Sequence, residues 1–404
     1  MAAPPQAASV EQPARSSAAT ARPYDSVVLL LAGALMTLGV VMVYSASVTV
    51  TGAELDWRRW WNTPLRQSVF ALAGFVGMLF AAHCDHRWLV WERRGGYWRA
   101  GTLYLLALAL LGAVLVVGRE ALGAQRALVV LRSPFTLSFQ PSELAKVVLV
   151  IWLAALLSRF GTPDFGRAGG PPRIRSFLRG FVPAITSAGV LIALTGIEDF
   201  GTAALMGVVA MAMLVLGGAR WLHLLGAGAL GLLGGAGLLL LKPHRVQRVL
   251  TFLSEAPDPQ GAGYQVDQSL LALGSGGWWG RGLGAGVQKH GYLPQQDNDF
   301  ILATIGEELG TAGCLVVVLL FLLLLWRGGR LARLAPDRFG RTLATGLTAL
   351  ICLQAAFNIA VVTNSVPTKG ISLPFVSAGG SGVVFLGLAA GLLASIGRAR
   401  PRAP

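Results

Sequence analysis

The stretch QQDNDFILATIGEELG, residues 295–310, sets Asp297 and Asp299 just before a long apolar run and Glu307 and Glu308 inside it. Asp299 stands at the mouth of that run, where a charged group in a membrane protein most often faces a cavity or a partner. Its plainer role is to favour a helix start through the helix dipole. Glu307 and Glu308 fall roughly two to three turns deeper, at about 1.5 Å per residue. At that depth at least one must face the bundle interior or pair with a cation.

Three other groups of polar residues sit where they are expensive. In QPSELAK, Glu143 and Lys146 lie three apart on one helical face and can pair, while Pro141 suits a helix start and Ser142 a cap. They either neutralise each other at a helix entrance or form a charged wall of an outward-facing cavity. Asp199, in IEDFGT, either caps the helix that follows or lines the same cavity. Lys242, Arg245 and Arg248 recur every third residue, which puts them on one face of a continuing helix. Arginine reads phosphate oxygens in bidentate fashion, and a cationic face can equally meet anionic lipid headgroups.

The elements that must position these groups are membrane helices. The chain has 404 residues, 54% hydrophobic and only 13% charged, a composition that excludes a water-soluble domain of this length. Apolar runs approach the roughly 20 residues that span a bilayer, and lipid offers the backbone no partners, so each span must be helical. The expected fold is an all-α polytopic transmembrane bundle of about ten spans, near 26–47, 65–83, 101–118, 143–158, 178–196, 199–217, 220–241, 300–326, 341–362 and 374–397. The fifth and sixth form a tight hairpin. Residues 1–23 are expected to be a disordered cytoplasmic tail with no cleavable signal peptide, 24–398 one membrane domain, and 399–404 a second cytoplasmic tail.

Arginines crowd the segments 84–100, 159–177, 327–340 and the C-terminal tail, which alternation places on the N-terminal side. By the positive-inside rule that side is cytoplasmic and both termini lie there. Much of the net charge of +14 is then topology signal and needs no nucleic acid. The opposite face carries a large extracytoplasmic loop, 242–299, between spans seven and eight. Loops of that length are usually functional. Its many glycines allow close backbone approach, and Trp278 and Trp279 suit the membrane interface, so part of it should lie re-entrant or flat on the bilayer. Cys84, Cys314 and Cys352 have no metal-ligand spacing and read as small hydrophobes.

These residues resemble the SEDS family of FtsW, RodA and SpoVE proteins over nearly the whole chain from about Asp25, and its FtsW branch most. The resemblance is carried by GVVMVYSAS, GAQRALVVLRSPFTLSFQPSELAK, FGTAALM, DPQGAGYQVDQSLLALGSGGWWGRGLGAGVQKHGYLP, DFILATIGEELG and PTKGISLPFVSAGGSG, in the family's order. It implies an integral-membrane peptidoglycan glycosyltransferase in cell division. Such an enzyme polymerises lipid II, a disaccharide-pentapeptide on undecaprenyl pyrophosphate, on the outer face of the cytoplasmic (inner) membrane. The implied partners are a class B penicillin-binding protein and other divisome membrane proteins.

Carried over by motif, Asp299 takes the place of the family's catalytic aspartate. Arg126, Glu143, Lys146, Asp199, Arg245, Arg248, Gln268, Lys369 and Ser377 form the implied substrate-binding set. Magnesium or another divalent cation could bridge phosphate oxygens, although no ligand cluster marks a site. Several positions depart from the family: Ala127 replaces a tryptophan, Asp297 a histidine, Asn298 a threonine and Ala378 a tyrosine, and QPDLGT becomes IEDFGT. An acid at 297 would raise the pKa of Asp299 by repulsion. Two rival readings of the same residues are a transporter that moves lipid II between leaflets and a non-enzymatic scaffold of the division machinery.

Overall fold

A computed structural model describes residues 24–47, 65–90, 97–121, 124–131, 137–160, 173–253, 262–288 and 293–398. The two expected tails, 1–23 and 399–404, lie outside them, as do residues 48–64 and two pieces of the large loop, 254–261 and 289–292.

Each of the ten predicted segments is helical. They are α1 (Ser26–Ser47), α2 (Arg66–His83), α3 (Trp98–Val117), α4 (Pro141–Phe160), α5 (Val182–Glu198), α6 (Phe200–Leu216), α7 (Trp221–Leu240), α10 (Ile301–Leu334), α11 (Arg338–Val362) and α12 (Ser381–Ile396). Two further helices, α8 (Pro243–Leu253) and α9 (Ala262–Ser275), form inside the large loop. By length and composition seven helices can cross a membrane, while α6 and α12 are shorter apolar helices. The fold is therefore an all-α polytopic membrane bundle.

Where helices must cross closely, side chains are small. A Cβ on Gly387 of α12 would lie 2.4 Å from the Gly74 carbonyl of α2, and one on Gly391 2.2 Å from the Met78 carbonyl. Glycine there lets two backbones approach and gain dispersion contacts, which drive association in lipid as they cannot through the hydrophobic effect. Leucines such as Leu222, Leu232 and Leu233 of α7 point outward, as a lipid-facing surface requires.

One region differs from expectation. The connection 119–142 between the third and fourth expected spans holds a small antiparallel sheet, β1 (Arg119–Ala121), β2 (Ala124–Leu131) and β3 (Leu137–Phe139), in the order β1-β2-β3. The alternating segment AQRALVVL has the β-branched content of a strand but is too short and polar-flanked to stand out beside the spans.

The long α10 is broken at Gly310, whose φ of 72° and ψ of −172° suit only glycine. The break frees backbone groups, and the glycine-rich segment 276–288 supplies their partners. Arg281 and Gly282 donate their N–H groups to the carbonyls of Glu307 and Glu308, while Thr311 and Ala312 donate to the carbonyls of Gly277 and Trp278. A Cβ on Gly280 would lie 2.2 Å from the Glu308 carbonyl, so the density of glycine in the loop follows from this contact.

Candidate functional site

Helix α11 carries two amides, Gln354 and Asn358, one turn apart and both 0% exposed. They lie on the same helical face and reach the loop that follows α11. Gln354 Nε2 donates to the Ser372 carbonyl at 2.9 Å, and Asn358 Nδ2 to the Ile371 carbonyl at 2.7 Å. Asn358 Nδ2 also donates to the backbone carbonyl of Asp299 at 2.8 Å. The loop 363–380 and the turn 294–300 are thus held to one ruler.

Ser377 tightens that junction. Its hydroxyl donates to the Asn298 carbonyl at 2.7 Å and accepts from the Leu373 N–H, and its carbonyl accepts from Gln67 Nε2 of α2 at 3.1 Å. The Ala378 N–H donates to the Asp297 carbonyl at 2.9 Å. The N-cap of α10 is Phe300, so Asp299 belongs to the preceding turn and not to the helix cap. Burial pushes the Asp297 carboxyl above the usual aspartate range, and its own backbone N–H and the Arg66 guanidinium pull it back.

The same ruler joins the charged pair of α4. Lys146 Nζ lies 2.9 Å from Glu143 Oε1 and 2.8 Å from Gln354 Oε1, with both charged side chains buried. The other Glu143 oxygen faces Gly382 at the start of α12, where a Cβ would lie 2.8 Å away. Ser142 does not cap α4, because the helix begins at Pro141 and leaves Ser142 inside its first turn. Instead its hydroxyl accepts from Gln140 Nε2 at 3.0 Å.

Asp199 sits in the α5–α6 turn and does cap α6, accepting from the Thr202 N–H at 3.2 Å and from the Thr202 hydroxyl at 2.8 Å. It also receives Gln140 Nε2 at 3.3 Å. The Gln140 N–H reaches the Ser381 hydroxyl at 3.2 Å, so Gln140 ties this turn to α4 and α12. A small open pocket here is lined by the polar Ser142, Thr195, Glu198 and Asp199 together with the apolar Leu111, Val114 and Leu194.

The cations fall into two kinds. Arg245 of α8 is buried and donates to the carbonyls of Gly196, Ile197 and Leu238 at 3.1, 2.8 and 3.2 Å. Those are last-turn carbonyls of α5 and α7, which have no intrahelical partner. Lys242 pairs with Glu198 at 3.0 Å. Lys369 stands half-buried over the Phe200 ring, its Nζ 4.0 Å from the centroid, with the Arg245 guanidinium 5.8 Å from the same ring. Burial and the neighbouring Arg245 lower the Lys369 pKa to about 8, against the opposing pull of Asp199.

Glu307 and Glu308 are both buried, as expected of at least one. Glu307 accepts the N–H groups of Val287 and Gln288 and lies 3.8 Å from Arg281, and Glu308 accepts the Ser45 hydroxyl of α1. They hold the glycine segment and stand apart from the turn that bears Asp299.

The structure therefore links the Asp299 turn, Ser377, Glu143 and Lys146 through hydrogen bonds of the α11 amides and the 363–380 loop, ties Asp199 to α4 and α12 through Gln140, and brings Lys369 and Arg245 together on the Phe200 ring. Arg248 lies half-buried on α8, and Gln268 half-exposed on α9, beside Ser269, whose hydroxyl donates to the Val362 carbonyl of α11. Arg126 belongs to β2, with its side chain outside the described residues. Sequence reasoning missed Gln140, Gln354, Asn358 and Phe200. The two α11 amides had a signal, since an amide inside an apolar span costs free energy unless it is paired. Among the described residues no group of three or more His, Cys, Asp or Glu side chains gathers as a metal cage.

Comparison with known proteins agrees along the full length. The FtsW/RodA/SpoVE family model, described as a cell cycle protein, matches residues 25–401. The chain is 41% identical over 374 residues to the probable peptidoglycan glycosyltransferase FtsW of Geobacter sp. (strain M18), covering 92% of this chain and 96% of that protein. It is 37% identical over 379 residues to stage V sporulation protein E of Bacillus subtilis (strain 168), covering 93% and 97%. A chain of a peptidoglycan synthase complex, solved for its coordination of polymerization and crosslinking, superposes with a TM-score of 0.70 at 27% identity, covering 93% and 98%. The rod shape determining protein RodA of Thermus thermophilus superposes with a TM-score of 0.62 at 25% identity, covering 94% and 98%. The chain belongs to the FtsW/RodA/SpoVE family.

Proposed function

From that membership we propose that the chain is a peptidoglycan glycosyltransferase of FtsW type, working in cell division and polymerising lipid II at the outer face of the cytoplasmic membrane. The 41% identity to a probable enzyme of that activity supports the reaction class. The observation that carries the site is the junction of the Asp299 turn with the loop bearing Lys369 and Ser377.

In this reading the acceptor sugar hydroxyl attacks the donor's anomeric carbon and gives its proton to the Asp299 carboxylate. The bond from that carbon to the pyrophosphate oxygen breaks, the electron pair leaves on the pyrophosphate, and the anomeric centre inverts. Lys369 stabilises the departing charge, together with Arg126 and Arg248 and with the field of Arg245. Asp199, Glu143 and Lys146 shape the polar wall, and Gln268 and Ser377 border the substrate. The large loop 242–299 and the site face outward, and both termini are cytoplasmic, as the arginine bias supports. The partner is a class B penicillin-binding protein, in keeping with the synthase complex to which the fold is similar.

The test is Asp299→Asn, purified alone and with its partner and given labelled lipid II. Glycan chains should fall by about 100-fold or more, while the thermal midpoint in detergent holds. Full polymerisation would overturn Asp299 as base. Lipid II transferred between leaflets by the wild type, with no glycan formed, would overturn the enzyme in favour of a transporter.

A further inference from the structure

One group in the described network serves two segments of the site at once without belonging to either. Asn358 lies in the last stretch of α11, wholly buried, and its Nδ2 donates to the carbonyls of Asp299 and Ile371 at 2.8 and 2.7 Å. An amide NH₂ has two hydrogens, and both are used. The turned-over amide would place an oxygen against two carbonyl oxygens, so the two acceptors fix its orientation. Its own Oδ1 is buried without a partner among the described residues. Leaving that acceptor unpaired is costly, and a side chain present only to fill the helix interface would be apolar. What the site demands is two donors at one point.

We infer that Asn358 is the positioning residue for Asp299, fixing the base relative to the loop that carries Lys369 and Ser377. The inference rests on the reading of Asp299 as base. The geometry of the linkage is short and stiff. Asn358 holds the carbonyl of residue 299 itself, so a shift of this point moves the Asp299 Cα directly. The second bond ends at Ile371, two residues from Lys369, and the Ile371 N–H donates to the Lys369 carbonyl at 3.0 Å, closing the intervening bend. Gln354, one turn earlier, repeats the grip at Ser372 and passes it on to Lys146. Proton abstraction falls steeply when a base is misplaced by about 1 Å, whereas binding of a large lipid-linked substrate does not depend on that single contact.

The test uses the full-length protein in proteoliposomes with labelled lipid II. Asn358→Leu keeps the volume and removes both donors. Asn358→Asp keeps the shape and, when protonated between two carbonyls, keeps one donor. Both should lower kcat by about 10–100-fold and leave the KM for lipid II within about twofold. For Asn358→Asp alone, the ratio of its rate to that of wild type should rise as the pH is lowered, because protonation restores one bond. A merely structural role would not give that pH-dependent recovery. Wild-type kcat in a folded Asn358→Asp across the pH range overturns the inference, and so does failure of both variants to accumulate in the membrane, which would mark a folding role. Asp299→Asn run beside them separates the two readings. If it is inactive while Asn358→Asp is fully active, this inference alone falls; if it is fully active, the base is wrongly assigned.

Discussion

The Lys369 ammonium rests 4.0 Å above the centre of the Phe200 ring, and Arg245 approaches the same ring at 5.8 Å. Phe200 thus sets a cation–π platform beneath Lys369. Burial and the neighbouring Arg245 disfavour the charged form of Lys369, Asp199 favours it, and the pKa is lowered to about 8.

A pH dependence follows. Below about 8 Lys369 is the ammonium that the proposed phosphate contact needs; above it, the neutral amine. The kcat/KM for lipid II, which reports the free enzyme, should therefore fall along an alkaline limb near that value. Lys369→Arg keeps the charge, so its limb should move upward by more than about 2 pH units, the guanidinium being protonated throughout. An unmoved limb in that variant would assign the titration to another group.

The pair formed by Glu143 and Lys146 should behave as a buried ion pair. Lys146→Met leaves a buried carboxylate alone and should cost about 3–5 kcal/mol, read as a lower thermal midpoint in detergent. Adding Glu143→Gln removes the orphaned charge and should recover most of that loss. A double variant no more stable than the single one would show that the pair itself stabilises the bundle.

Arg245 should matter before any substrate arrives. Its guanidinium satisfies three carbonyls at the ends of α5 and α7. Arg245→Met strands them, at roughly 1–3 kcal/mol for each buried unpaired group, and should lower the midpoint of the substrate-free protein. Arg245→Lys should rescue it only in part, since an ammonium cannot reach as the planar fork does. A full-strength fold in Arg245→Met with weak lipid II binding would instead make phosphate contact its main task.

Gly310→Ala should disrupt the α10 break. The new Cβ would lie 2.4 Å from the Gly280 nitrogen at a backbone conformation that only glycine adopts freely. Strain of about 3 kcal/mol should loosen the segment 276–288 from its carbonyls. Tryptic cleavage at Arg281, which is already part-exposed, should then quicken. Unchanged cleavage would show that the loop does not depend on this junction.

The family motifs, the apolar runs and the arginine bias were all local quantities, and from them the sequence by itself determined a helical membrane bundle and ten of its helical segments. The Glu143–Lys146 pair was legible too, because three-residue spacing on a helix is a contact written in one dimension. Asp199 as a helix cap was visible for the same reason.

What only the tertiary structure decided were contacts between segments far apart in the chain. Nothing near Asn358 or Gln354 in sequence names Asp299, Ser372 or Lys146 as partners, since these meet only when α4, α10 and α11 pack. Arg245 looked like a phosphate reader because its helix was in view and the open carbonyls of α5 and α7 were not. Glu307 holds the glycine segment through backbone N–H groups some 20 residues earlier, and Glu308 takes a hydroxyl from α1, more than 260 positions away. Periodicity reports which face of a helix is buried; which polar groups then meet across that face depends on packing, because hydrogen bonds need partners within about 3 Å.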